Sequence, residues 1–162
     1  MTETILEVPG GRFTLRRALE MDIPAIVGLL ADDPLRSAEE STAPGDLVPY
    51  LAAFAAIDRE PAQLLVVVED SDGRVVATQQ LTVLPGLARA GATRLQVEAV
   101  RVSVDVRGNG LGSWMITWAA DYGRERGCRL VQLTSDVSRL DAHRFYERLG
   151  FESSHLGFKL LL

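Results

Sequence analysis

Three glycines crowd into five positions of Arg107-Gly108-Asn109-Gly110-Leu111-Gly112, where an apolar run gives way to a helical pattern. Without β-carbons, the backbone there can bend sharply and lie directly against a ligand. The N–H groups of such a bend, joined by the unpaired amides and positive dipole end of a helix starting near Leu111, form an anion site suited to a pyrophosphate. Arg107 adds fixed positive charge beside it. Upstream, Glu98 interrupts an otherwise apolar strand, and is either a general base or an outward-facing carboxylate on a half-exposed face. An unshifted glutamate, at about 4.3, is a poor acceptor for the proton of an ammonium at about 10.4, so Glu98 as a base must be buried or act through water, and water is the favoured route. Gln96 shares its side of the strand, as a group that orients substrate or water or as a surface side chain. The face taken by Arg101 depends on whether the strand carries a bulge.

The elements that hold these residues follow from periodicity. Val97, Ala99 and Val100 are apolar and Val102, Val104 and Val106 alternate, so residues 95–106 read as a strand. Leu111, Trp114, Met115, Trp118, Ala119 and Tyr122 recur at helical spacing, with Gly127 as the stop. Earlier, residues 13–19 predict a strand, and Asp22 and Asp46 predict N-caps for two helices. Residues 35–45 predict a substrate-side loop between those helices. The runs 64–69 and 75–84, joined by Asp70-Ser71-Asp72-Gly73, predict a hairpin. After it come a loop over 85–93, the strand and helix about the glycine bend, a strand over 129–134, a helix over 142–149 closed by Gly150, and a last strand over 151–162. An antiparallel meander that only later alternates with helices is an α+β layout. A dinucleotide fold would place its glycine turn after the first strand, and no Lys-Ser/Thr pair of a nucleotide phosphate loop follows the bend.

With 162 residues, the chain reads as a single domain over 1–162. A net charge of −5 argues against a nucleic-acid surface and is compatible with cationic substrates. No apolar run is long enough for a bilayer and the opening residues do not form a secretory signal, so the expected location is cytoplasmic, away from membranes. Cys128 is the one cysteine and reads as a small core residue. With only His143 and His155 beside it, both expected to face solvent, no metal site is predicted.

Arg107-Gly108-Asn109-Gly110-Leu111-Gly112 matches the R-x-x-G-x-G signature of the GCN5-related N-acetyltransferases (GNAT), and Arg144-Phe145-Tyr146-Glu147-Arg148-Leu149-Gly150-Phe151 matches that family's F-Y-x-x-L-G-F run. The two motifs stand in the family's order and spacing, and the resemblance covers nearly the whole chain. It implies a mostly antiparallel mixed sheet with flanking helices and a splayed strand pair that forms an acetyl-coenzyme A cleft. Amides of Arg107, Gly108, Asn109, Gly110, Leu111, Gly112 and Ser113 would hold the pyrophosphate, and those of Ala99, Val100 and Val102 would pair with the pantetheine arm and thioester. Tyr146 would protonate the leaving thiolate, although its helical stripe with Ala142, Phe145 and Leu149 equally allows a packing role. Arg139 departs from the family, which often has Asn at that position. The implied activity is direct transfer of acetyl from acetyl-coenzyme A to a primary amine of a small molecule or peptide, with no metal. The alternative is an acyl-coenzyme A sensor or interaction module without turnover. A homodimer accords with family habit.

Overall fold

A computed structural model describes residues 3–8, 11–33 and 40–162. Six strands form one sheet in the order β1 (Thr4–Val8), β2 (Gly11–Arg17), β3 (Gln63–Glu69), β4 (Val75–Leu84), β5 (Arg94–Val102) and β6 (Leu130–Leu133). Neighbours are antiparallel up to β5, and β5 and β6 are parallel. Parallel strands cannot be joined by a tight turn, and the β5–β6 connection accordingly carries the helix α4 (Leu111–Glu125).

β3 reads Leu-Leu-Val-Val-Val because both of its faces are covered. On one side α1 (Ile23–Ala31) and α2 (Val48–Arg59) press Ile23, Ile26, Val27 and Phe54 onto Leu65 and Val67. On the other, α4 lays Leu111, Met115, Ile116, Ala119 and Tyr122 over Phe13, Leu64, Val66, Leu81, Leu95 and Val97. Each large aliphatic side chain buried in this way contributes about 1.5–3 kcal/mol. α5 (Leu140–Arg148) adds Phe145 and Tyr146 to the margin of the α4-side core, and Leu149 just past its end joins them.

Several expectations need correction. β1 lies ahead of the expected first strand. β5 ends at Val102, and residues Val104–Val106 form a single 3-10 turn in which Ser103 Oγ accepts from the Asp105 amide at 3.4 Å. The valine alternation thus outlasts the strand, because a local side-chain bond turned the backbone out of the ladder. Neither aspartate caps as expected. Asp22 accepts from Arg16 and from the Leu19 amide at 2.7 Å, and Asp46 accepts from Ser41 Oγ at 2.6 Å. The expected loop lies partly outside the described residues, and its end forms a 3-10 turn at Pro44–Leu47. The 85–93 connection contains the single turn α3 (Ala88–Gly91), with Arg89 and Ala90 at positive φ. Residues 151–162 form no strand. Leu156, Phe158, Leu160, Leu161 and Leu162 are exposed, since Gly157 and the unalternated leucine triplet give no single apolar face for a neighbouring strand to cover.

Candidate active site

β5 is the strand around which the site is built, and its ladder with β4 is irregular at one point. Glu98 pairs with Gln80 and Arg101 with Thr78, leaving Ala99 and Val100 together opposite Gln79. Ala99 has φ 51°, the left-handed region that an alanine rarely occupies. Two residues opposing one is a β-bulge, and it resets the alternation of faces. Residues three apart in an unbroken strand point to opposite sides, yet Glu98 and Arg101 here share the α1 side. The Arg101 guanidinium accordingly reaches Asp33, two residues past α1. Gln79 is fully buried beneath the bulge and donates to the Met115 carbonyl of α4 at 3.2 Å.

On its other edge, β5 pairs with β6 only from Arg94 to Val97. Beyond Val97 the two strands part, so residues 98–102 have no β6 partner among the described residues. The carbonyls of this free stretch are attractive to donors: Val100 O accepts from Arg101 Nη1 at 2.8 Å, and Val102 O accepts from Arg107 Nε at 2.9 Å.

The glycine bend follows the 3-10 turn. Gly108 and Gly110 take φ of 84° and 82°, a conformation that makes glycine the default residue. Gly110 is the N-cap of α4 without a side-chain cap, and the first helical bond runs from the Trp114 amide to Gly110 O at 3.0 Å. The amides of Leu111, Gly112 and Ser113 therefore lack intrahelical acceptors, as at any helix start. A Cβ on Gly112 would lie 3.6 Å from Phe145 and 3.8 Å from Val102, so this turn is seated between α5 and β5. The bend and the free edge of β5 are thus contiguous, and they present the amides and carbonyls that a diphosphate followed by an amide-bearing arm requires. The Leu111 side chain is in the core, so only its amide is available to a ligand. Asn109 and Ser113 are half-buried, while Arg107 is exposed.

Tyr146 on α5 is half-buried and packs edge-on against Phe145, at 5.1 Å between ring centroids, and Phe151, at 5.8 Å. Burial pushes its phenol above the ordinary tyrosine value, while the positive charges of Arg101 and Arg139 pull it back. Glu98 is exposed on the α1 side. Gln96 on that side accepts from Gln132 Nε2 at 2.7 Å, so it ties β5 to β6 where they still pair.

Asp33 has only 2% of its side chain exposed, and both Arg101 and Arg139 donate to its Oδ2, the former at 2.7 Å. One carboxylate thereby gathers β5, the start of α5 and the end of α1 at the mouth of the strand gap. Its importance was not legible in the sequence, where Asp32-Asp33-Pro34 looks like a helix ending. The Arg139 departure from the family pattern was the one visible hint.

The remaining candidates are bland. Cys128 packs against the core with its thiol pushed up by burial, which disfavours the nucleophilic thiolate. His143 is half-buried rather than solvent-facing, its Nε2 lying 2.8 Å from the Asp136 carbonyl oxygen. No group of metal-binding side chains occurs among the described residues, nor any helix long and apolar enough to cross a membrane.

Among solved structures, this chain is similar to a transcriptional regulator from Bacillus halodurans C-125, at 39% identity and a TM-score of 0.88 over 93% of this chain and 99% of that one. It is 36% identical over 63 residues to the aminoalkylphosphonate N-acetyltransferase of Salmonella typhimurium, covering 39% of this chain and 41% of that protein. It is 34% identical over 88 residues to the glucosamine 6-phosphate N-acetyltransferase of Trypanosoma brucei brucei, covering 54% of this chain and 58% of the relative. The matched stretches thus span roughly half of each of these two enzymes. The sequence model of the Acetyltransferase (GNAT) family matches residues 29–151, from the end of α1 through the bulge, the glycine bend and α5. With that match running through every element of the cleft, the chain belongs to the GNAT acetyltransferase family.

Proposed function

We propose that this protein transfers the acetyl group of acetyl-coenzyme A to a primary amine, in one ternary complex and without an acetyl-enzyme intermediate. The observation that carries the reading is the contiguity of the β5 stretch beyond Val97, which has no β6 partner among the described residues, with the glycine bend and its three helix amides. The half-buried phenol of Tyr146 feels the charge of Arg101 on that same stretch. The acceptor amines in the names of the two enzyme relatives support the same reaction class. The diphosphate falls to the amides from Arg107 to Ser113, and the amide-bearing arm to the β5 edge at Ala99, Val100 and Val102. Acetyl-coenzyme A brings the thioester, and the protein supplies orientation and proton transfer. Glu98, exposed on the α1 side, takes the ammonium proton through water. The neutral nitrogen attacks the carbonyl carbon, and backbone N–H groups of the bulge stabilise the oxyanion. The now cationic nitrogen gives its second proton to solvent water, and the carbon–sulfur bond breaks to leave the neutral amide. The thiolate, with a reference value of about 8.5, takes a proton from Tyr146, which recovers one from solvent. Burial makes that phenol a reluctant acid, and the charges of Arg101 and Arg139 offset only part of this, leaving it above the ordinary tyrosine value.

The test is free thiol appearing together with acetylated amine in a pool of primary amines. A second reading, an acyl-coenzyme A sensor without turnover, draws on the Bacillus halodurans neighbour being described as a transcriptional regulator. Tight acetyl-coenzyme A binding with no thiol release across the pool selects the sensor.

A further inference from the structure

The side of the sheet that faces α1 carries a polar row that the chemistry above does not use. Gln132, Gln96, Thr82 and Gln63 are direct neighbours in register on β6, β5, β4 and β3. They stand side by side across four strands, over about 14 Å at the usual strand spacing. Gln80 lies next to them, opposite Glu98. On the other side of these strands Leu64, Leu81, Leu95 and Val97 are buried beneath α4, and on this side Leu65 and Val67 are covered by α1 and α2. The polar row is only half-buried. Its members are joined in two groups. Gln63 Oε1 accepts from Gln80 Nε2 at 3.1 Å and from Thr82 Oγ1 at 2.8 Å, and Gln96 Oε1 accepts from Gln132 Nε2 at 2.7 Å.

These bonds orient each side-chain amide while engaging only one of its two polar atoms. Among the described residues, no protein group meets Gln63 Nε2, Gln80 Oε1, Gln96 Nε2 or Gln132 Oε1. The row therefore presents two donors and two acceptors whose orientation is fixed before any ligand arrives, which lowers the cost of binding one. A hydroxyl donates and accepts at once and turns its proton to suit, so a body with several hydroxyls can engage both kinds. An extended peptide, in contrast, turns the amide groups of alternate residues away from any one surface. None of the five side chains is charged, so the body they suit is neutral. The row also ends beside the reacting groups. Gln96 and Gln132 are the last pair but one before β5 and β6 part, and Glu98 follows Gln96 on the same side, about 7 Å along the strand. We propose that Gln63, Gln80, Thr82, Gln96 and Gln132 form the acceptor platform, selecting amines carried on a polyhydroxylated body. This specificity rests on the acetyl-transfer reading above, with the amine at Glu98 and the hydroxyls over the row.

The experiment compares glucosamine, cyclohexylamine and glycylglycinamide as acceptors, by thiol release at saturating acetyl-coenzyme A, with kcat/KM referred to the unprotonated amine. The expected value is at least about 30-fold higher for glucosamine than for cyclohexylamine, a ring of the same size without hydroxyls, with glycylglycinamide between them. Gln80→Leu and Gln132→Leu should each shrink that preference about tenfold, with the KM for acetyl-coenzyme A unmoved. The two variants lie on different strands, so if a thermal melt shows one unfolded the other still reports. Equal use of cyclohexylamine, or a preference unchanged in the folded variants, overturns the platform. A higher kcat/KM for glycylglycinamide than for glucosamine overturns the polyhydroxylated class. A rise in the acetyl-coenzyme A KM with the acceptor preference intact also overturns the platform, because it moves the row to the cosubstrate. Absence of thiol release with every amine overturns acetyl transfer instead. Thermal stabilisation of the coenzyme A-loaded protein by glucosamine, absent with cyclohexylamine and reduced in the variants, then reads the platform separately, and equal shifts with the two amines reject it.

Discussion

At the residue scale, the proposed chemistry divides between a phenol that burial makes a weaker acid and a carboxylate left in water. Tyr146→Phe removes the proton donor while keeping the edge-on contacts with Phe145 and Phe151. It should lower kcat about 10²-fold with little change in either KM, as steady-state kinetics would register, because a donor used only as the thiolate leaves contributes nothing to ground-state binding. An unchanged kcat removes Tyr146 as the acid. For Glu98→Gln the informative readout is the acidic limb of kcat/KM, which should flatten if Glu98 is the base. Both residues stand out in the sequence, one by interrupting an apolar strand and one by its place in a motif. Asp33 does not, because its partners Arg101 and Arg139 lie 68 and 106 positions away and no local pattern encodes such a meeting.

At the element scale, two aspartates fix the ends of α1. Asp33 ties its end to the gap. Asp22, just before its start, receives two bonds from Arg16 at 2.6 and 2.8 Å and one from the Leu19 amide. Burial would raise the Asp22 carboxyl, but these bonds and the arginine charge outweigh it and hold the group below its ordinary value. A carboxyl whose value falls on folding stabilises the fold above its unfolded value, about 4, and that contribution disappears as pH falls through the lower folded value. Asp22→Asn should therefore cost about 2–4 kcal/mol at neutral pH and make the Tm less dependent on pH below about 4, as thermal melts across pH would record. Gly110→Ala, forced to φ near 82°, should cost about 1–2 kcal/mol and weaken acetyl-coenzyme A binding, measurable by calorimetry. Asp22 was legible as the mark of a helix start, but not as the partner of Arg16. The glycine bend was legible because glycine density is a local signal. The bulge was not, since Ala99 and Val100 fit a regular strand and only the pairing with Gln79 reveals the extra residue.

At the scale of the whole molecule, the antiparallel meander and late helix–strand alternation were legible because β3, β4 and α4 carry strong periodic patterns. The final twelve residues were misread, because an apolar composition alone does not create a ladder partner. The consequence of the architecture is that one end of the sheet is closed around a core while the other opens between β5 and β6, where a ligand can join the two walls. Saturating acetyl-coenzyme A should accordingly raise the Tm, by about 5–10 °C at a hundredfold excess over Kd. The measurement that tests the account most directly is simultaneous quantification of free thiol and N-acetylated product from acetyl-coenzyme A and primary amines, for the native protein and Tyr146→Phe. The account predicts equal molar amounts of thiol and acetylated amine, formed about 10²-fold more slowly by the variant. Cosubstrate bound in the gap with neither product formed, or thiol released without acetylated amine, would contradict it.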